Sequence, residues 1–248
     1  MDHREYQKIS DRKETAVLFV HGILGSPRHF DPLLSCVPPD WTVHCLLLDG
    51  HGMGVRDFSR SSMKKWQAQV AAAVDVLAST HKRVLLVGHS MGTLFAIEQA
   101  VFRPDTVAGI FLLAAPLRVR IRVRLIPHLL RVWWNKPQKG NPVSLAFLRA
   151  CSIRQDWRVW RYLGWIPRFW ELLMQIRSTR KLLQQLRISG IAVQSRRDEM
   201  VGLAACNDLK DRMQVLILEN STHFYYPEQD LTALKERFSE FCSQYSEK

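Results

Sequence analysis

One pentapeptide limits what this chain can fold into more than any other stretch: Gly88-His89-Ser90-Met91-Gly92. The apolar run Val84-Leu85-Leu86-Val87 leads into it, and a helical pattern, Thr93-Leu94-Phe95-Ala96-Ile97-Glu98-Gln99-Ala100, follows. A strand that turns straight into a helix around one serine needs small residues on both sides, because side chains there collide as the turn closes. The serine is then held above the end of a sheet strand, open to whatever binds there. Alone, the pentapeptide is only a glycine-rich turn. The strand before it and the helix after it make it a presented hydroxyl.

The rest of the chain supplies a sheet for that strand. Thr15-Ala16-Val17-Leu18-Phe19-Val20 is short and almost wholly apolar, as a parallel strand buried on both faces should be, and it ends in His21-Gly22. Further strands are expected over 43–48, 107–113, 188–193 and 215–218. The first of these ends at Asp49-Gly50-His51-Gly52. Met63 to Ala78 carries Trp66, Val70, Ala73, Val74 and Leu77 at helical spacing, and 231–245 carries Leu231, Leu234, Phe238, Phe241 and Tyr245 likewise. Strands alternating with helices predict an α/β fold with a mostly parallel sheet and helices on both faces. At 248 residues and 47% hydrophobic, the chain fits one domain with an insertion.

A serine hydroxyl is a weak nucleophile at neutral pH. It needs a base to take its proton, and the base needs a carboxylate to fix its tautomer. Where the serine sits on such a turn, the chain order is Ser, then acid, then His, with the partners in loops after late strands. Ser195-Arg196-Arg197-Asp198-Glu199-Met200-Val201 follows one late strand, and Ser221-Thr222-His223-Phe224 follows the last. Asp198 and His223 are the candidates, with Glu199 as the rival acid. His89 neighbours the serine, but its side chain is expected to point away into the helix–sheet packing. Acyl transfer also needs two backbone N–H groups aimed at the developing alkoxide. Met91, directly after the serine, supplies one. Ile23, in the loop His21-Gly22-Ile23-Leu24-Gly25-Ser26, supplies the other.

Taken in order, these motifs resemble the α/β-hydrolases of the carboxylesterase and monoacylglycerol-lipase type. The His-Gly-x-x-Gly loop is His21-Gly22-Ile23-Leu24-Gly25, the turn ending in Gly-His-Gly is Asp49-Gly50-His51-Gly52, and the acid loop pairs Asp198 with Val201. The terminal loop is Ser221-Thr222-His223. The resemblance covers almost the whole chain outside the insertion. It implies Ser90 as nucleophile, His223 as base, Asp198 as orienting acid, and Ile23 and Met91 as oxyanion donors, with no metal or organic cofactor. Two positions depart from the family pattern. Thr222 stands where Gly is usual before the histidine, and Ser195 stands where Gly is usual three residues before the acid. Both bear on loop geometry. Dehalogenase and epoxide-hydrolase relatives carry Asp at the nucleophile position, so their chemistry is not expected. The implied reaction is hydrolysis of a monoacyl ester through an acyl-enzyme. Kept open are a thioesterase or acyltransferase acting on an anionic carrier, and a non-catalytic relative that binds a lipid or protein.

What sets this chain apart is the insertion, 117–187, between core segments 1–116 and 188–248. It holds sixteen of the 35 basic residues but two of the 23 acidic ones, so the whole excess of positive charge lies there. It also holds six of the eight tryptophans: Trp133, Trp134, Trp157, Trp160, Trp165 and Trp170. Such a segment commonly forms a cap over the active site. An extended stretch is expected over 117–125, where Leu, Val and Ile alternate with Arg, and helices over 144–151, 167–176 and 179–186. The tryptophans can pack the cap on the sheet, with arginines facing water. They can instead lie at the headgroups of an anionic membrane. Base stacking on nucleic acid is a third use, disfavoured because the charge is confined to a cap. The partners expected are thus an acyl ester and a peripheral lipid contact, not nucleic acid; oligomeric state is not indicated. The five scattered cysteines lack metal-ligand spacing and suit a reducing compartment. With no apolar run able to span a bilayer and no signal-like N-terminus, a cytoplasmic protein is expected, at most peripheral at a membrane.

Overall fold

The computed structural model of the chain describes residues 3–118 and 141–246. Its strands are β1 Tyr6–Lys8, β2 Thr15–Val20, β3 Thr42–Leu46, β4 Arg83–His89, β5 Val107–Leu113, β6 Gly190–Ser195 and β7 Gln214–Leu218. They form one sheet in the order β1-β3-β2-β4-β5-β6-β7. β1 pairs with β3 antiparallel, and every other pairing is parallel. The architecture is a mostly parallel α/β sheet with one antiparallel edge strand and helices on both faces, as the motif order implies.

Successive strand residues feed two separate cores. Leu18, Val20, Leu86 and Leu112 point to one face, while Val17, Phe19, Leu85 and Phe111 point to the other. The period of two explains why these strands are apolar throughout: helices cover both faces, so neither side can be polar. The first core is closed by α2 Val55–Arg60, α3 Met63–Ala78 and α4 Met91–Phe102. The second is closed by α1 Asp31–Leu34 and, near the C-terminus, by Phe238 and Phe241 of the helix Glu228–Ser243. α3 starts where Ser62 caps it, its side chain accepting from Lys65 N–H at 3.2 Å. Its Trp66 is fully buried, with Nε1–H donating to the Asp49 carbonyl at 2.8 Å.

Between β5 and β6 lie α5 Pro142–Ala150, a 3-10 turn Val159–Trp165 and α6 Ile166–Leu182. This segment crosses the loops that follow β2, β3 and β7. Ser152 N–H and Oγ–H donate to the carbonyls of Leu24 (2.8 Å) and Gly25 (2.6 Å). Trp165 packs edge-on against Phe58 at 4.9 Å, and Phe147 against Phe224 at 5.3 Å. Two helices were expected where the single helix α6 runs. Burial of Gln175, Ile176 and Thr179 on one face carries it through the weak helix formers Ser178 and Thr179. Of the stretch expected to be extended, Leu117 is buried and Arg118 makes a bidentate pair with Asp208, both bonds 2.8 Å. The remainder, with Trp133 and Trp134, lies outside the described residues. Among the described residues no helix is long and apolar enough to cross a membrane.

Candidate active site

Ser90 sits between β4 and α4 with φ 51° and ψ −121°, a conformation costly for any residue with a Cβ. The surroundings force it. Ser90 N–H donates to Leu113 O on β5 at 2.8 Å, and its carbonyl accepts from Thr93 N–H (2.9 Å) and Thr93 Oγ1–H (2.6 Å). α4 then presses so close to β2 that a Cβ on Gly92 would lie 1.9 Å from Val20 O. On its other side a Cβ on Gly22 would fall 2.8 Å from Ser90 Cβ, so the loop after β2 lies directly against the serine.

That loop is held from beneath by two histidines. His51 Nε2 accepts from Leu24 N–H at 3.2 Å and His21 Nε2 accepts from Leu48 N–H at 3.1 Å. Each therefore carries its proton on Nδ1, facing the Leu48 and Asp49 carbonyls and the Gly22 carbonyl respectively. Leu24 N–H is thus committed, as is Gly25 N–H, which donates to Gly22 O at 3.0 Å. Ile23 N–H lies just before them. Met91 opens α4, where the first N–H groups have no intrahelical acceptor.

Asp198 and His223 meet from loops after β6 and β7. Both are buried, and Asp198 Oδ2 lies 2.8 Å from His223 Nδ1. The other carboxylate oxygen, Oδ1, accepts from Met200 N–H (2.8 Å) and Val201 N–H (2.7 Å). Glu199 also reaches His223, but through the backbone, accepting from its N–H at 3.2 Å. Burial works to lower the His223 pKa. The charge and hydrogen bond of Asp198, with the charge of Glu199, outweigh it, and the net shift is upward.

The two departures from the family pattern are accommodated locally. Thr222 Oγ1 accepts from Tyr225 N–H at 3.2 Å, closing the turn that carries His223. The Ser195 carbonyl accepts from Asp198 N–H at 3.2 Å. Behind the turn, Asp230 Oδ2 takes Asn220 N–H (2.8 Å) and Ser221 Oγ–H (2.7 Å).

His89 differs from expectation. Its ring does not disappear into the helix–sheet packing. It stacks on His29 at 3.6 Å, and its Nε2–H donates to the His223 carbonyl at 3.1 Å. The reason is that the turn after the β2 loop, Pro27–Phe30, delivers a flat partner there, which the strand pattern does not reveal.

Four of these histidines are held neutral. Burial first, and then neighbouring histidines, bring His21 and His89 well below the usual value and His29 to about 3. Burial brings His51 to about 4 against the hydrogen bonds from the Asp49 and Leu48 carbonyls. A lowered folded pKa means that the unfolded chain takes up protons first, so stability falls as pH drops below 6.5. His223, raised, acts oppositely: its contribution is present at low pH and is lost as pH rises through its folded value. For His51 alone the loss between pH 7 and 5 is about 2 kcal/mol. The urea midpoint is therefore expected to be clearly lower at pH 5 than at pH 7. An equal midpoint at both would mean that these rings charge without cost.

Among the described residues no cluster of three or more His, Cys, Asp or Glu could hold a metal ion.

A family model described as the alpha/beta hydrolase family matches residues 17–236. A pyrethroid hydrolase of Sphingobium wenxiniae is 25% identical over 139 residues, 54% of this chain and 46% of that protein. The chain spans about a third to a half of the length of the curated relatives it matches. Two solved structures superpose over nearly their full length. One is a monoacylglycerol lipase of Paleococcus ferrophilus, with TM-score 0.71 and 15% identity over 99% of this chain and 100% of that one. The other comes from the metagenome-derived lipolytic enzymes LipS and LipT, with TM-score 0.70 and 22% identity over 96% and 97%. At these identities the superpositions speak to fold alone.

Proposed function

The chain belongs to the alpha/beta hydrolase family, and from that premise we propose that it is a serine hydrolase of monoacyl carboxylic esters. One observation carries the reading. A buried Asp198–His223 hydrogen bond of 2.8 Å stands in the loops after β6 and β7, and His89, the neighbour of a Ser90 held at φ 51°, bonds to the His223 carbonyl at 3.1 Å. Ser90 Oγ attacks the ester carbonyl as His223 Nε2 takes its proton. The carbonyl oxygen becomes an alkoxide against the N–H groups of Ile23 and Met91. His223 returns the proton to the departing alcohol, leaving Ser90 acylated. Water, deprotonated by His223, then attacks the acyl carbon, and the acid leaves as Ser90 regains its proton. The curated relatives support hydrolytic chemistry: a 2-(acetamidomethylene)succinate hydrolase and a pyrethroid hydrolase are among them.

An apolar-tailed substrate suits the surroundings. A cleft of about 520 Å³ adjoins the His223 loop, walled by His29, Phe224, Tyr226, Leu145 and Ala146. The segment between β5 and β6 forms one of its walls and serves as the cap. Arg149 on the cleft's edge, where Arg28 is paired with Asp31, favours a second reading, a thioesterase whose leaving group is anionic.

A fluorophosphonate probe tests the assignment directly. We expect one adduct, on Ser90 by peptide mass spectrometry, and its formation to be slowed by p-nitrophenyl acyl esters. Folded protein that takes no label would return the chain to the non-catalytic, ligand-binding reading. Rates on matched oxyesters and CoA thioesters separate the two hydrolase readings.

A further inference from the structure

We propose that the outer face of the segment between β5 and β6 is a docking surface for an anionic lipid bilayer. α6 is buried on one side only, where Gln175 bonds to Glu98 at 2.7 Å and Ile176 and Thr179 pack inward. Its opposite side is apolar and bare: Ile166 is 63% exposed, Trp170 62%, and Leu173 and Met174 nearly half. Arg177 and Lys181 continue the same side, and all six fall within an arc of about 100° on a helix of 3.6 residues per turn.

Immediately before α6, Trp157 is 77% exposed and Trp160 58%, packed edge-to-face at 5.9 Å, with the Arg158 guanidinium 5.0 Å over the Trp157 ring. A monomeric surface rarely shows so many large apolar side chains together.

Charge complementarity selects the occupant. The two acidic residues of this stretch are already taken, Asp156 by Arg161 and Glu171 by Arg168. Among the described residues Arg154, Arg177 and Lys181 form no ion pair with an acidic side chain. An apolar helix face carrying indoles, edged by unpaired cations, matches a headgroup layer in both of its chemistries. A protein partner needs a complementary shape, and nucleic acid has no use for Ile166, Leu173 and Met174. On the reading of the site proposed above, the contact sets the cleft beside the surface where apolar-tailed esters collect. The lipid contact itself does not depend on that reading.

The test is sedimentation of the full chain with sucrose-loaded vesicles, which needs no catalysis. Vesicles of phosphatidylcholine containing about a third phosphatidylglycerol are expected to bind the protein at least about ten-fold more tightly than phosphatidylcholine alone. Tryptophan emission should shift to the blue on binding, and the advantage should shrink with salt. Trp170→Asp with Leu173→Asp is expected to reduce binding by about ten-fold or more, and Arg177→Glu with Lys181→Glu to remove the preference for anionic vesicles. Unaltered thermal midpoints would show that both variants fold. The proposal is overturned if wild-type protein ignores anionic vesicles, or if folded variants bind as wild type does. It is equally overturned if sedimentation velocity shows this face joining two copies of the chain without vesicle affinity.

Discussion

Ser90→Ala is expected to lower kcat on p-nitrophenyl acyl esters by on the order of 10⁶-fold, with the thermal midpoint moving by no more than a few degrees. The two halves of that result have separate causes. Catalysis is expected to collapse because, on the proposed mechanism, Oγ is the atom that becomes acylated, and neither His223 nor the loop N–H groups can replace it. Stability survives because the bonds fixing the turn are made by backbone: Ser90 N–H to Leu113 O, and Ser90 O to the N–H and hydroxyl of Thr93. Alanine keeps the same Cβ at φ 51° and so inherits the same strain. Ser90→Gly would release it and raise stability by about 1 kcal/mol while remaining inactive. Full turnover in either variant would sink the nucleophile assignment.

Asp198→Asn is expected to cost about 10⁴-fold in kcat, through the tautomer of His223 rather than through lost packing. Asp198 Oδ1 accepts from the N–H groups of both Met200 and Val201. Asparagine must keep its carbonyl oxygen there, which turns its NH₂ toward His223 Nδ1. The imidazole then has to accept at Nδ1, its proton moves to Nε2, and the nitrogen facing the serine can no longer take a proton. The pH profile gives an independent reading. In wild type the acid limb of kcat/KM is expected above pH 6.5, because His223 must be neutral to act and its pKa is raised. Without the Asp198 charge, burial dominates and the limb moves to lower pH. Glu199→Gln, touching only the His223 N–H, should cost far less. A larger loss in Glu199→Gln than in Asp198→Asn would reverse the two acids.

Much of this was legible because local chemistry and tertiary burial agree. α3 begins and ends where its apolar spacing predicts, and β2 and β5 coincide with short, almost wholly apolar runs. β1 was not legible: Tyr6–Lys8 is three residues long and largely exposed, and only its pairing with β3 makes it a strand. The helix α6 was read as two because Ser178 and Thr179 are weak helix formers, and the burial that overrides them is invisible along the chain. At the site, turn glycines and strand order sufficed to name Ser90, Asp198 and His223, the last two of which the structure joins directly. The supports could not be found that way. Glu199 on the His223 backbone, Asp230 under Ser221 and His29 against His89 act across chain separations of 24, 9 and 60 residues. No periodicity connects them.

Ser152 has a consequence for how such proteins can be rebuilt. Its hydrogen bonds to Leu24 O and Gly25 O tie the segment between β5 and β6, the roof, to the loop that carries Ile23. Roof and loop are therefore not interchangeable modules. A chimera that transplants another roof onto this sheet must bring its own donor for those two carbonyls, wherever the splice points lie. Otherwise the graft is expected to alter the direction of the Ile23 N–H, and, on the proposed role of that group, a swap meant to change which molecules enter would change how fast any of them reacts.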